Sequence, residues 1–365
     1  MFQNLKKHIR SKKILQDQRR FEEEFYKKAI LSYPPRSVTL TITSYCNNKC
    51  IFCAYHSDDA KEVSNVYGLH FKLSLDDFKR IINICYQGRV PHVHICATGE
   101  PFIHKQILEM IDYCIEVYGT SSIQTNFYRP IFEKNNYYDA IIKRADAISY
   151  ITTDLLSGDE NQHNELKKGS TYKDVMHAME YINSKCNVKF KVHLVLTRYN
   201  YMHINDLITD IADKKINADL EIVNLHPHCF NEFTSFEAPY MSSDLAIKDA
   251  LESAAKYALQ KNITIAIPKP FDDNTDSKCS SFWTRFQLWP VKGNDINRYH
   301  ENVIMGACNA VVRGSISTLG YIFDYKNIMD LWNNEYFVKY RTMLLNGEYP
   351  DSECVHCQSY NAGKP

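Results

Sequence analysis

The chain has 365 residues, enough to bury a full core in one large domain or two modest ones, and its 43 basic residues balance 43 acidic ones. Balanced charge supplies no global field for nucleic acid or an anionic membrane, so neither is expected as a partner and recognition must be local. Twelve cysteines in so long a chain argue against a disulfide-stapled secreted scaffold and for metal or redox chemistry in a cytoplasmic protein.

The first twenty residues carry Lys6, Lys7, Arg10, Lys12, Lys13, Arg19 and Arg20 against Asp17, and Glu22, Glu23 and Glu24 follow at once. No apolar core of signal-peptide type accompanies them, so residues 1–36 read as an N-terminal helical extension. No window approaches the ~18 apolar residues of a membrane span. From Ser37 onward, short alternating runs trade places with helical patterns. VTLTIT (38–43), HVHIC (92–96), SSIQT (121–125), AISYITT (147–153), KFKVHLVLT (189–197) and DLEIVNL (219–225) predict strands. Between them LSLDDFKRIINICYQ, KQILEMIDYCIEVYG, TYKDVMHAMEYINS and INDLITDIADKK predict helices, the first capped by Ser74.

Six β/α units over residues 37–235 imply a parallel sheet with right-handed crossovers. A complete eight-stranded barrel takes about 250 residues. The expected fold is therefore α/β, a partial (β/α)6 TIM-like barrel open on one side, with its chemistry at the C-terminal strand ends. Residues 236–365 are expected to add a helix and a second cysteine-bearing domain.

CNNKCIFC follows the first strand and holds Cys46, Cys50 and Cys53. Zinc would need a fourth ligand, which His56 could offer, although the first gap is looser than in a typical knuckle and no second pair lies near. A [4Fe–4S] cluster takes one thiolate per iron, so three cysteines leave one iron open to a ligand. The loop resembles the signature of the radical S-adenosylmethionine (SAM) superfamily, in which an aromatic residue, here Phe52, precedes the last cysteine. The resemblance implies S-adenosyl-L-methionine bound at the open iron and split to a 5′-deoxyadenosyl radical, with an external electron donor such as flavodoxin or ferredoxin.

ATGEPFIH, after the second strand, resembles the Gly-Gly-Glu-Pro motif that contacts the cofactor's amino group in that family, with threonine in place of the first glycine. Thr98, Gly99, Glu100 and Pro101 are thus expected at the cofactor. By the same resemblance Asn126, Thr153 and Arg198, at the ends of strands 3, 4 and 5, contact the cofactor, with Arg198 pairing its carboxylate. Asp154 is expected to face substrate.

CVHC (354–357), with Cys279 and Cys308 upstream, could close a cluster or a zinc site. Leu331, Trp332, Arg341 and the Asn346–Gly347 helix stop resemble the SPASM/twitch branch, which implies one auxiliary [4Fe–4S] cluster on Cys279, Cys308, Cys354 and Cys357. NLHPHCF after strand 6 offers Cys229 as a hydrogen donor or extra ligand and His226 as a base.

The expected function is a radical SAM oxidoreductase or epimerase acting on a sugar- or aminocyclitol-like small molecule. The alternatives are a peptide-modifying maturase, for which 36 residues before the first strand leave little room for a precursor-binding domain unless a separate partner supplies one, and a non-enzymatic zinc protein.

Overall fold

The computed structural model describes residues 2–53, 55–58, 71–225, 244–268, 279–290, 303–306 and 322–350. Each run predicted as a strand forms one: β1 (Ser37–Thr41), β2 (His92–Cys96), β3 (Ser121–Gln124), β4 (Ile148–Asp154), β5 (Phe190–Leu196) and β6 (Ala218–Asn224). Three further strands were not expected: β7 (Thr264–Ala266), β8 (Arg285–Pro290) and β9 (Val303–Gly306). The strand order is β7-β6-β5-β4-β3-β2-β1-β8-β9. β1 pairs in parallel with β8, and β3 through β7 pair in parallel in succession; β9 runs antiparallel to β8. This is the open parallel α/β sheet of a partial barrel.

The helices start where local chemistry dictates. The Ser74 hydroxyl accepts the Asp77 N–H at 3.1 Å ahead of Leu75–Gln87, as expected of an N-cap. Thr171 and Asp174 form a reciprocal capping box on Tyr172–Asn183. Among the described residues no helix is long and apolar enough to cross a membrane.

The chain divides into two compact units. The first comprises Met1–Thr41, Leu73–His94 and Thr275–Pro365. Its core holds Trp283, Trp332, Phe282 and, wholly buried, Arg341. The Arg341 guanidinium lies 4.3 Å from the Trp332 ring centre and donates to Phe282 O at 2.7 Å and Ala29 O at 3.0 Å. Burial pulls its pKa down to about 9. These bonds give Arg341 and Trp332 a packing role in tying helix Glu335–Leu345 to the segment after the N-terminal helix.

The second unit, Ile42–Lys72 and Ile95–Asn274, contains the cysteine loop and the C-terminal ends of β3 to β6. On β5, Phe190, Val192, Leu194 and Leu196 are buried while Lys191, His193 and Val195 are half-buried. β6 repeats the pattern, with Asp219, Glu221 and Val223 half-buried. Side chains alternate across a strand. One face of this sheet is therefore apolar core, and the other carries charge.

Candidate active site

The cysteine loop leaves β1 and is held from behind by the turn that follows helix Glu160–Lys167. Lys49 N–H donates to Lys168 O at 2.7 Å and Ile51 N–H to Leu166 O at 3.0 Å. The buried Asn48 accepts at Oδ1 from Ser170 N at 2.9 Å, from Ser170 Oγ at 3.1 Å and from Asn47 Nδ2 at 2.7 Å. Gly169, at φ +143°, lies so close that a Cβ there would sit 2.1 Å from that same Oδ1. The loop is thus clamped to its neighbour at backbone distance.

The three thiols are half-buried. Cys46 Sγ accepts the Asn48 N–H and Cys53 Sγ the Tyr55 N–H, each at 3.4 Å. Burial first, then the nearby Glu100 and Cys53 charges, pushes Cys46 up to about 12, and burial with Cys53 raises Cys50 well above a free thiol. A bare thiolate trio is unfavourable here, and bound cations would reverse that balance. Among the described residues no three His, Cys, Asp or Glu side chains converge at single-ion spacing. A four-iron cluster takes its thiolates one per iron, so its ligands stand around it rather than at one point. His56 is engaged with the backbone at Thr98 and Ser44, and burial lowers its pKa.

Gly99 and Glu100 couple this loop to the sheet. A Cβ on Gly99 would fall 1.9 Å from Tyr45 O, and Glu100 N–H donates to that oxygen at 2.7 Å. The Glu100 carboxylate is buried and accepts three bonds: Phe102 N at 3.0 Å, Thr125 Oγ1 at 2.9 Å and Asn126 N at 2.6 Å. Burial raises its pKa to about 7 against the lowering effect of those donors. Pro101 opens the short turn Pro101–Ile103 that Glu100 caps. Asn126 Nδ2 donates to Asn47 Oδ1 at 3.2 Å, returning to the cysteine loop, and the next residue, Phe127, adopts φ +52°. Phe52 and Thr98 are half-buried beside these residues in sequence.

At the ends of β4 and β5 the placements differ from one another. Thr153 is wholly buried, pairs with Val192 in register and lies on the apolar face; its Oγ1 has no hydrogen-bond partner. Thr152 and Asp154 share the opposite, charged face. Arg198 forms a bidentate pair with Asp244, at 3.1 and 2.8 Å. Lys167 escaped the sequence reading. It is 1% exposed, its ammonium donates to Asp154 O at 2.7 Å, and its charge lowers the thiol pKa of Cys46 and Cys50. A buried lysine at the end of a helix has no distinguishing sequence signal.

This loop, clamped onto a Gly-Glu-Pro turn at the mouth of a parallel sheet, is matched by comparison with known proteins: residues 40–211 fit the family described as the radical SAM superfamily. The similarity spans a little under half of the chain. Solved structures are similar in fold. Streptococcus suis SuiB bound to S-adenosylmethionine superposes with a TM-score of 0.65 at 18% identity, over 95% of this chain and 76% of that one. SuiB bound to its precursor peptide SuiA gives 0.65 at 19%, over 95% and 75%. BtrN in complex with AdoMet and 2-DOIA gives 0.44 at 13%, over 86% and 87%. No curated protein sequence matches.

The donor set of residues 40–211 fits a four-iron cluster with one open iron: three thiols on one loop, two of them already accepting N–H bonds, with one buried cation nearby to offset negative charge. Of the second cysteine set, Cys279 is buried in the first unit, preceding helix Ser281–Thr284. Cys308, Cys354 and Cys357 lie outside the described residues, as do His226 and Cys229.

Proposed function

We propose that this protein is a radical SAM enzyme, which binds a [4Fe–4S] cluster on Cys46, Cys50 and Cys53 and abstracts hydrogen from a polar small molecule, oxidising or epimerising it. The observation that carries the reading is the chain of bonds from Asn48 through Asn47 and Asn126 to Glu100, which joins the cysteine loop to the strand ends at which the cofactor would lie. When bound, the cluster and S-adenosylmethionine supply a 5′-deoxyadenosyl radical. The chain's own part is placement. Gly99 leaves room for the loop and Glu100 fixes Asn126; by the resemblance, Thr98, Pro101 and Phe52 would border the cofactor. Arg198, now paired with Asp244, or the buried Lys167, now bonded to Asp154 O, would supply the cation for the cofactor's carboxylate.

The charged inner face of β4 to β6 supports a polar substrate over an apolar one. An auxiliary [4Fe–4S] cluster on Cys279, Cys308, Cys354 and Cys357 would take the substrate's second electron, with Cys229 as hydrogen donor and His226 as base in the epimerase variant. The electron for cofactor cleavage would come from a flavodoxin or ferredoxin.

Anaerobic reconstitution tests this. Roughly eight irons per chain, falling by about half on Cys354→Ala/Cys357→Ala, is the expected result; zinc at the second set would remove the auxiliary cluster. 5′-Deoxyadenosine formed with cyclitols but not with peptides would select the small-molecule reading, and the reverse would select peptide modification.

A further inference from the structure

The charged face described above contains a row of three side chains set by strand register. Asp154 pairs with His193 across β4 and β5, and His193 pairs with Glu221 across β5 and β6. In-register residues of neighbouring parallel strands point to the same side. The row therefore reads carboxylate, imidazole, carboxylate.

Its two links are unequal. His193 Nε2 is hydrogen-bonded to Glu221 Oε2 at 3.0 Å, and Lys191 holds the other oxygen of Glu221 at 3.2 Å. On the other side, His193 Nδ1 stands 4.0 Å from Asp154 Oδ1, too far for a hydrogen bond. Among the described residues none donates a hydrogen bond to the Asp154 carboxylate. Both it and His193 keep almost a third of their side-chain surface exposed, at 28% and 30%.

An oxygen that donates to Asp154 and accepts from His193 at ordinary lengths of about 2.8 Å spans such a gap at close to a right angle. A hydroxyl does both, as would the water it displaces. An ammonium lacks the acceptor, and a carboxylate lacks the donor. The geometry points to Asp154 and His193 as the two jaws of a subsite for a substrate hydroxyl, with Glu221 as a positioning residue that fixes the imidazole. Burial works against charge on His193, but the Glu221 bond and the Asp154 and Glu221 charges outweigh it and raise its pKa, which favours the imidazolium form, in which Nδ1 donates. Lys191 acts only through Glu221.

This inference rests on the proposed function for its substrate, and the hydroxyl could come from a cyclitol or from a serine side chain. The test is ligand-observed NMR on the reconstituted protein with three probes: myo-inositol, acetyl-Gly-Ser-Gly-amide and acetyl-Gly-Ala-Gly-amide. One of the two hydroxylated probes should bind. Its Kd should weaken at least about tenfold in Asp154→Asn and in His193→Gln, and by less in Glu221→Gln, with thermal unfolding unchanged in all three. Binding that the variants leave intact, equal binding of the alanine peptide, or no binding by either hydroxylated probe overturns the subsite. Dithionite-driven 5′-deoxyadenosine formation, measured without probe on the same samples, reports separately on the radical SAM reading.

Discussion

Gly99 and Tyr45 meet at backbone distance: the Tyr45 carbonyl takes the Glu100 N–H at 2.7 Å and leaves 1.9 Å for any Cβ at position 99. The glycine of the Thr-Gly-Glu-Pro turn is therefore required by the cysteine loop as much as by a ligand. Gly99→Ala should push the loop off its seat at a cost of about 1–3 kcal/mol. Iron content and visible absorbance after reconstitution should both fall. Retention of a full cluster in this variant would remove the coupling.

Glu100 is the hub of the next layer. Glu100→Ala leaves the N–H groups of Phe102 and Asn126 and the Thr125 hydroxyl without their acceptor, at about 1–3 kcal/mol for each buried group. Calorimetry should register a large drop in Tm, and Glu100→Gln a smaller one.

The same carboxyl sets a pH dependence. Burial raises its pKa from 4.5 to about 7 in the folded chain, so the native state holds the proton more tightly than the unfolded one. That contribution is complete below the unfolded value of 4.5 and is lost as pH rises through about 7. It amounts to on the order of 3 kcal/mol. Urea midpoints of the wild type should decline across this window, whereas those of Glu100→Gln should not show that component.

Lys167 places a buried positive charge near the thiols. Replacement by methionine keeps the bulk, removes the charge and strips Asp154 O of its donor. A cluster on Cys46, Cys50 and Cys53 should then be harder to reduce, with a potential more negative by some tens of millivolts. An EPR-monitored redox titration reads this directly, and an unchanged potential would show that the ammonium does not face the cluster.

Asn48 anchors the loop through one oxygen with three donors. Asn48→Ala leaves Ser170 N–H unpaired in a buried position, and the loop should loosen. Limited proteolysis between Cys46 and Cys53 should accelerate, and iron should be lost faster to a chelator.

The larger pattern was readable in the letters because period-2 alternation and cap residues are local signals. All six strands from VTLTIT to DLEIVNL, and the Ser74 cap, fall where alternation and hydroxyl chemistry put them. β7, β8 and β9 did not announce themselves: TIA is too short to show a period, and RFQLWP follows a helical turn of only four residues. The site shows the same limit. Alternation says that Thr152 and Thr153 point opposite ways, but only the pairing with β5 reveals that Thr153 lies on the apolar face. Likewise KVHLV and LEIV each display one polar side, and only their register sets His193 beside Glu221. Arg198 found its carboxylate in Asp244, 46 positions away, a partner no spacing rule indicates.

The bonds that seat the cysteine loop run largely between main-chain groups, from Lys49 and Ile51 to Lys168 and Leu166. Main-chain bonds of this kind do not depend on which side chains stand at the four positions. Exchanges at Lys49, Ile51, Leu166 and Lys168 should therefore leave the seat in register, and this stretch has latitude to drift in composition while its shape persists.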